Sequence, residues 1–147
     1  MLRAGKTLQR IMMFKTILLA TDGSDASDKA IRSTIEFAKD NHSKIIGLAV
    51  EEVHPYFPYA TEGKAGEIAR ENAKKIADLA AAANVRCEVH IERGNTPYEE
   101  IIDAATRYGC DSIFMGSHGL KGIDRLLLGS VAQKVLIHST VPVVILK

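Results

Sequence analysis

Hydrophobic positions along the chain fall into two alternating patterns. Short runs rich in Ile, Val and Leu, such as Ile17-Leu18-Leu19, are nearly continuous, whereas the longer stretches between them repeat their apolar residues at three and four. The first pattern marks strands covered on both faces and the second marks amphipathic helices, so their alternation predicts βα units and a mostly parallel sheet. Strands are predicted at Lys15 to Thr21, Lys44 to Glu51, Val85 to Ile91, Asp111 to Met115 and Val141 to Leu146. Helices are predicted at Ala26 to Asn41, Lys64 to Ala83, Pro97 to Tyr108 and over the segment Ser130 to Leu136. The inner face of the first helix should carry Ala30, Ile31, Thr34, Phe37 and Ala38, and that of the second Ile68, Ala69, Ala73, Ile76, Ala77, Leu79 and Ala80. Asp22-Gly23-Ser24-Asp25 supplies a turn and N-cap candidates, and Thr96-Pro97 reads as a cap followed by proline at the first helical position. The expected class is therefore a single α/β domain: an open, five-stranded parallel sheet with helices on both faces.

Two segments do not fit this rhythm. Glu52 to Gly63 contains two prolines and three aromatics, which suits neither helix nor strand, and reads either as a flap over the end of the sheet or as a lid over a ligand or partner surface. Residues 1–12 hold Arg3, Lys6 and Arg10 without an acid and form an extension ahead of the domain expected at 13–147. That extension reads as a disordered appendage or as residues ahead of a natural start, with a basic targeting arm as the third reading. Gly5-Lys6-Thr7 imitates the end of a P-loop, but the glycine that motif needs five residues earlier has no place in the chain.

Composition narrows the function classes. With 147 residues, 46% hydrophobic and 25% charged, one domain carries everything. The net charge of +1, with both signs interspersed, argues against a nucleic-acid partner. No apolar run approaches the roughly 20 residues of a membrane span and no secretory signal stands near the start, so the expectation is a cytoplasmic protein without membrane association. Cys87 and Cys110 lack metal or redox spacing and are expected to be buried free thiols.

The chemistry concentrates after the fourth predicted strand. Gly116-Ser117-His118-Gly119 follows the apolar run Ser112 to Met115, and Gly129-Ser130 opens the last helix. A strand that leads through a glycine-punctuated loop to a helix N-terminus is suited to phosphate, because glycines let backbone N–H groups approach an anion and the helix end adds unpaired N–H groups. Gly116, Gly119, Gly129 and Ser130 are thus expected to offer amides, with the Ser130 hydroxyl capping its helix or donating to an oxygen. In open parallel sheets ligands sit beyond the C-terminal strand ends where strand order reverses, which adds the loops after strands one and two. Asp22 is placed there to accept from ribose hydroxyls or to help hold a divalent cation, and Val50 to read an adenine edge with its backbone. Lys121 and Arg125 add charge or remain solvated. His118 is the imidazole of the loop, but no acid is positioned to orient it and no nucleophile is evident, so no catalytic residue is assigned.

The spacing Gly116-x2-Gly119-x9-Gly129-Ser130 resembles the ATP-binding branch of the universal stress proteins. The resemblance runs from Lys15 to Lys147 and includes Ile17 to Ser24, Gly94-Asn95-Thr96-Pro97, Met115 to Gly119 and Val141 to Leu146. It implies a Rossmann-like fold of strand order 3-2-1-4-5, and a homodimer formed by pairing the C-terminal strand, 142–146, which would cover that exposed edge. It further implies ATP as ligand, with Mg2+ or Mn2+ carried on its phosphates and Asp22 beside the metal. The implied nucleotide contacts are Thr21, Asp22, Val50, Gly116, His118, Gly119, Gly129, Ser130 and Val131. The functional expectation is a stress-response regulator in which nucleotide occupancy tunes dimer conformation or the docking of a protein partner. A slow Mg-dependent ATPase and a nucleotide-independent interaction module are the competing readings. Against fast hydrolysis stands the lack of a Walker lysine, a water-positioning base and an acidic metal cluster.

Overall fold

The computed structural model describes residues 13–54, 56, 62–118 and 127–147. Five strands and four helices alternate along it: β1 (Thr16–Thr21), α1 (Asp25–Asn41), β2 (Lys44–Glu52), α2 (Glu62–Ala82), β3 (Cys87–Gly94), α3 (Pro97–Arg107), β4 (Ser112–Gly116), α4 (Ser130–His138) and β5 (Val143–Leu146). The strands form one parallel sheet in the order β3-β2-β1-β4-β5. Strand order therefore reverses between β1 and β4, the position at which such sheets leave a crevice.

The period-two alternation of side chains sorts the core onto two faces. Ile17, Leu19, Ile45 and Phe114 point to one side and bury against Ile31, Ile35 and Ala38 of α1 and Ile76 and Ala80 of α2. Leu18, Ala20, Ile46, Leu48, Ile113 and Met115 point to the other and meet Ile101, Ala104 and Ala105 of α3 and Ala132 and Val135 of α4. Because β1 lies in the middle of the sheet, both of its faces are covered, which is why its sequence is apolar without alternation. Small residues let α2 approach closely: Ala69 and Ala73 lie directly on Ala49 of β2.

Several sequence expectations need correction in detail. Phe37 is not an inner residue of α1. It is 37% exposed and stands at the rim against Phe14 and Phe114, because large rings fit at the end of the sheet rather than under it. Ile68 is 44% exposed, outside the stripe defined by Ala69, Ala73, Ile76 and Ala80. Val85 packs into the core but precedes the paired strand, which starts at Cys87 and continues to Gly94. Likewise β5 starts after Pro142, not at Val141. Cys110 is buried as expected, whereas Cys87 is only half-buried. The extension 1–12 and most of the Glu52 to Gly63 excursion lie outside the described residues. Of that excursion, Glu52 ends β2, Glu62 and Gly63 begin α2, and Tyr56 is exposed.

Candidate functional site

The end of β1 is built from short hydroxyl-bearing residues that hold one another. The Ser27 hydroxyl donates to Thr21 Oγ1 at 2.8 Å, the Asp22 N–H donates to Ser27 Oγ at 3.2 Å, and the Gly23 N–H donates to Thr21 Oγ1 at 3.2 Å. The Asp22 carboxylate accepts the Ser24 N–H at 3.0 Å, closing an Asx turn. Gly23 sits at φ +80°, the left-handed region that favours glycine, and a Cβ there would lie 2.7 Å from Asn72 Oδ1, the end of a flexible side chain of α2 that would have to swing aside. Ser24 then caps α1: its Oγ accepts the Ser27 N–H at 3.2 Å, and Asp25 and Asp28 occupy the first turn. The N-terminus of α1 is thus already neutralised by its own residues.

The N-terminus of α4 differs. Its cap is Gly129, with extended ψ; among the described residues no side-chain cap bond reaches the first turn, which also lacks an acid. Ser130 is consequently the first helical residue rather than the cap. The Gly129 N–H is not offered to a ligand either, because it donates to the Ser117 carbonyl at 2.8 Å, while the Gly129 carbonyl accepts from Gln133 at 2.9 Å. The amides left without intrahelical acceptors are those of Ser130, Val131 and Ala132. Ala132 was not among the sequence candidates; its signal is positional, since the third residue of any helix carries an unspent N–H.

Gly116 also has a different reason for being glycine than the sequence suggests. A Cβ on it would lie 3.0 Å from the Ala26 carbonyl oxygen and 3.2 Å from the Ser27 amide nitrogen, so the residue admits the backbone of α1 against the end of β4. Beyond it, Ser117 is fixed on both sides, donating its N–H to the Leu146 carbonyl of β5 at 3.0 Å and accepting from Gly129. The His118 carbonyl accepts the Ser24 hydroxyl at 3.4 Å, which ties the loop after β4 to the cap of α1. The His118 ring places Nδ1 2.8 Å from Ser117 Oγ. Its Nε2 is buried and has no hydrogen-bond partner.

Val50 lies within β2, opposite Glu92 of β3, rather than at the strand end. Along β2 the even positions address β1, as when the Lys44 N–H donates to the Lys15 carbonyl, and the odd positions address β3, as with Ile45 to Arg86 and Val53 to Gly94. Val50 is therefore turned toward β1, one residue beyond the last register pair of Thr21 with Ala49, where the β1 chain has already turned away. Its carbonyl faces that notch. Gly119, Lys121 and Arg125 lie outside the described residues. Among the described residues no group of three His, Cys, Asp or Glu side chains could hold a metal ion. No helix among them is long and apolar enough to cross a membrane. A separate groove of about 560 Å³, lined by Tyr98, Asp103, Thr106 and His138, opens on the outer side of α3 and is not built from the strand-end residues.

Of the sequence-predicted residues, the structure brings Thr21, Asp22, Gly116, His118, Gly129 and Ser130 into one connected hydrogen-bonded assembly or its immediate neighbours, with Val131 in the first turn of α4 and Val50 across the notch from Thr21. Sequence reasoning named Ser24 only as a cap candidate, which it is, and did not assign Ser24, Ser27 or Ser117 a part in joining the segments. The Ser24-x-x-Ser27 spacing is a visible cap signal, but the reach of Ser24 to His118 spans 94 positions and has no local trace.

Comparison with known proteins places this geometry in context. The chain is 32% identical over 142 residues to universal stress protein MJ0531 of Methanocaldococcus jannaschii, covering 92% of this chain and 83% of that protein. The solved structure of the hypothetical protein MJ0577, whose sequence comes from the same organism, is 29% identical with a TM-score of 0.79, covering 92% of this chain and 97% of that one. A universal stress protein solved in complex with cAMP is 25% identical with a TM-score of 0.71, covering 90% of this chain and 97% of that one. The model of the universal stress protein family matches residues 13–147. With that match spanning nearly the whole chain, and with the sheet order and crevice described above, the chain belongs to the universal stress protein family.

Proposed function

We propose that the crevice between the C-terminal ends of β1 and β4 binds ATP, and that occupancy is the regulatory signal, changing dimer shape or the docking of a protein partner. The observation that carries the reading is the open N-terminus of α4. Its Ser130, Val131 and Ala132 amides have no helical acceptor, its first turn holds no acid, and it adjoins Gly116 to His118. Such an end attracts phosphate through its partial positive charge and its unpaired donors. Thr21 and Asp22 stand across the crevice for the ribose, and the Val50 carbonyl is available to an adenine amino group. Gly119 completes the loop motif. The cAMP complex of a relative supports the adenine-nucleotide class.

The donor set suits a cation that arrives with the nucleotide. When bound, Mg2+ or Mn2+ would neutralise phosphate charge, with Asp22 as the nearby carboxylate. His118 Nδ1 is engaged by a serine hydroxyl rather than by a carboxylate, so an acid-oriented base is not assembled at this ring, in keeping with slow or no turnover. The test is calorimetric titration with ATP and Mg2+, after mass spectrometry has shown whether nucleotide co-purifies, with AMP and cAMP as parallel arms. Saturable ATP binding is expected. An empty, folded protein that binds none of the three overturns the reading.

A further inference from the structure

We propose that Ser117 is a positioning residue that holds His118 as a neutral ring with its proton on Nε2, so that Nε2–H donates to a phosphate oxygen of the bound nucleotide. The inference rests on the nucleotide reading of the crevice and assigns a specific donor within it. A hydroxyl has one proton to give, and a neutral imidazole has one donor and one acceptor nitrogen. Two arrangements fit the 2.8 Å contact between Ser117 Oγ and His118 Nδ1.

In one arrangement Nδ1–H donates to Ser117, which strands the serine proton inside a residue only 3% exposed and leaves Nε2 as a second unmet group. In the other, Ser117 donates to Nδ1, the serine proton is satisfied, and the sole unmet group is the Nε2–H. Fewer unmet buried groups selects the second. The nitrogen opposite the hydrogen bond then carries the proton, as the general behaviour of histidine requires. Ser117 can impose this because its backbone cannot shift: β5 holds its N–H and Gly129 holds its carbonyl. The His118 carbonyl is held by Ser24, so the backbone that carries the ring is anchored while Ser117 holds Nδ1. A buried donor without an acceptor, one residue from the Ser117 carbonyl that receives the N–H of the α4 cap, has the chemistry of a site completed by an anion.

The test combines ring-nitrogen NMR with a double-mutant cycle on the full chain. In ligand-free protein at mildly alkaline pH, His118 should show a protonated Nε2 and a hydrogen-bonded, unprotonated Nδ1. Ser117→Ala should move Nδ1 to the position of an imine nitrogen without a donor. ATP with Mg2+ should slow exchange of the Nε2 proton with water in wild type. Ser117→Ala should weaken ATP binding about 3- to 10-fold, His118→Ala by more, and the double variant no more than His118→Ala alone. A protonated Nδ1, an Nδ1 resonance indifferent to Ser117→Ala, or additive losses in the cycle would each overturn the proposal. If wild type fails to bind ATP, the nucleotide reading and the phosphate acceptor fall together, while the ligand-free spectra still decide whether Ser117 holds the ring. Unchanged thermal unfolding of Ser117→Ala separates positioning from misfolding.

Discussion

Two residues show how a single atom decides between roles. Gly116 is needed because β4 ends against the backbone of α1, where a Cβ would stand 3.0 Å from the Ala26 oxygen. Gly116→Ala is expected to cost about 1–3 kcal/mol through this overpacking. At this chain length that lowers Tm by roughly 2–4 °C per kcal/mol. Gly63→Ala, where a Cβ meets nothing within 4 Å, serves as the control and should leave Tm unchanged or slightly higher. Equal melting of the two variants would remove the close-approach argument. Cys110 is the second case: burial pushes its thiol up to about 11 from an ordinary value of 9.0. Between those values the unfolded chain has released a proton that the folded chain keeps, so this contribution is intact below pH 9 and stability falls as pH rises toward 11. Denaturant titrations at pH 8 and pH 10 should show a smaller loss for Cys110→Ala than for wild type, and parallel losses would refute the assignment.

Helix ends make the corresponding distinction among elements. Both α1 and α4 begin at the same end of the sheet as the crevice, yet Ser24, Asp25 and Asp28 satisfy the first while among the described residues no side chain caps the second. Ser130→Pro tests the open end cleanly. Proline is favoured at the first helical position, and Gly129, with φ −60° and ψ 152°, already has the backbone that a residue before proline adopts. The substitution removes one N–H and one hydroxyl without disturbing the helix. A charge-assisted hydrogen bond contributes about 1.5–3 kcal/mol, so ATP affinity should fall at least roughly tenfold with Tm little changed. Full affinity in a Ser130→Pro protein would place the phosphates elsewhere.

For the molecule as a whole, the sheet's β5 edge is the surface to test. Pro142 and Leu146 turn their carbonyls to β4, so the intervening Val143 and Ile145 direct their backbone groups outward, away from β4. The neighbouring α4 exposes Leu136 at 43% and Ile137 at 75%. An unblunted parallel edge of this kind invites a second copy, the pairing that the family resemblance implies for segment 142–146. Ile145→Pro removes only an outward N–H, so analytical ultracentrifugation should find a dimer for wild type and a monomer for the variant, with circular dichroism retained. A dimer that survives the substitution would locate the interface on another face.

The alternation of apolar runs and three-four repeats determined the element order, because burial on both faces of a parallel strand and on one face of a helix leaves different periods in the chain. The glycine-serine spacing marked the connection between β4 and α4 for the same kind of local reason: a strand, a turn and a helix start are contiguous in sequence. What each glycine does there was decided by tertiary structure. Gly116 answers to α1, some 90 positions away, Gly23 to Asn72, and the Gly129 amide to Ser117, none of which a local pattern can encode. Nor could spacing reveal that the Ser24 hydroxyl and the Ser117 backbone knit the crevice together, since hydrogen bonds between separate segments exist only once the sheet has aligned the ends of β1 and β4. Periodicity is a property of neighbours along the chain; a binding site is a property of neighbours in space.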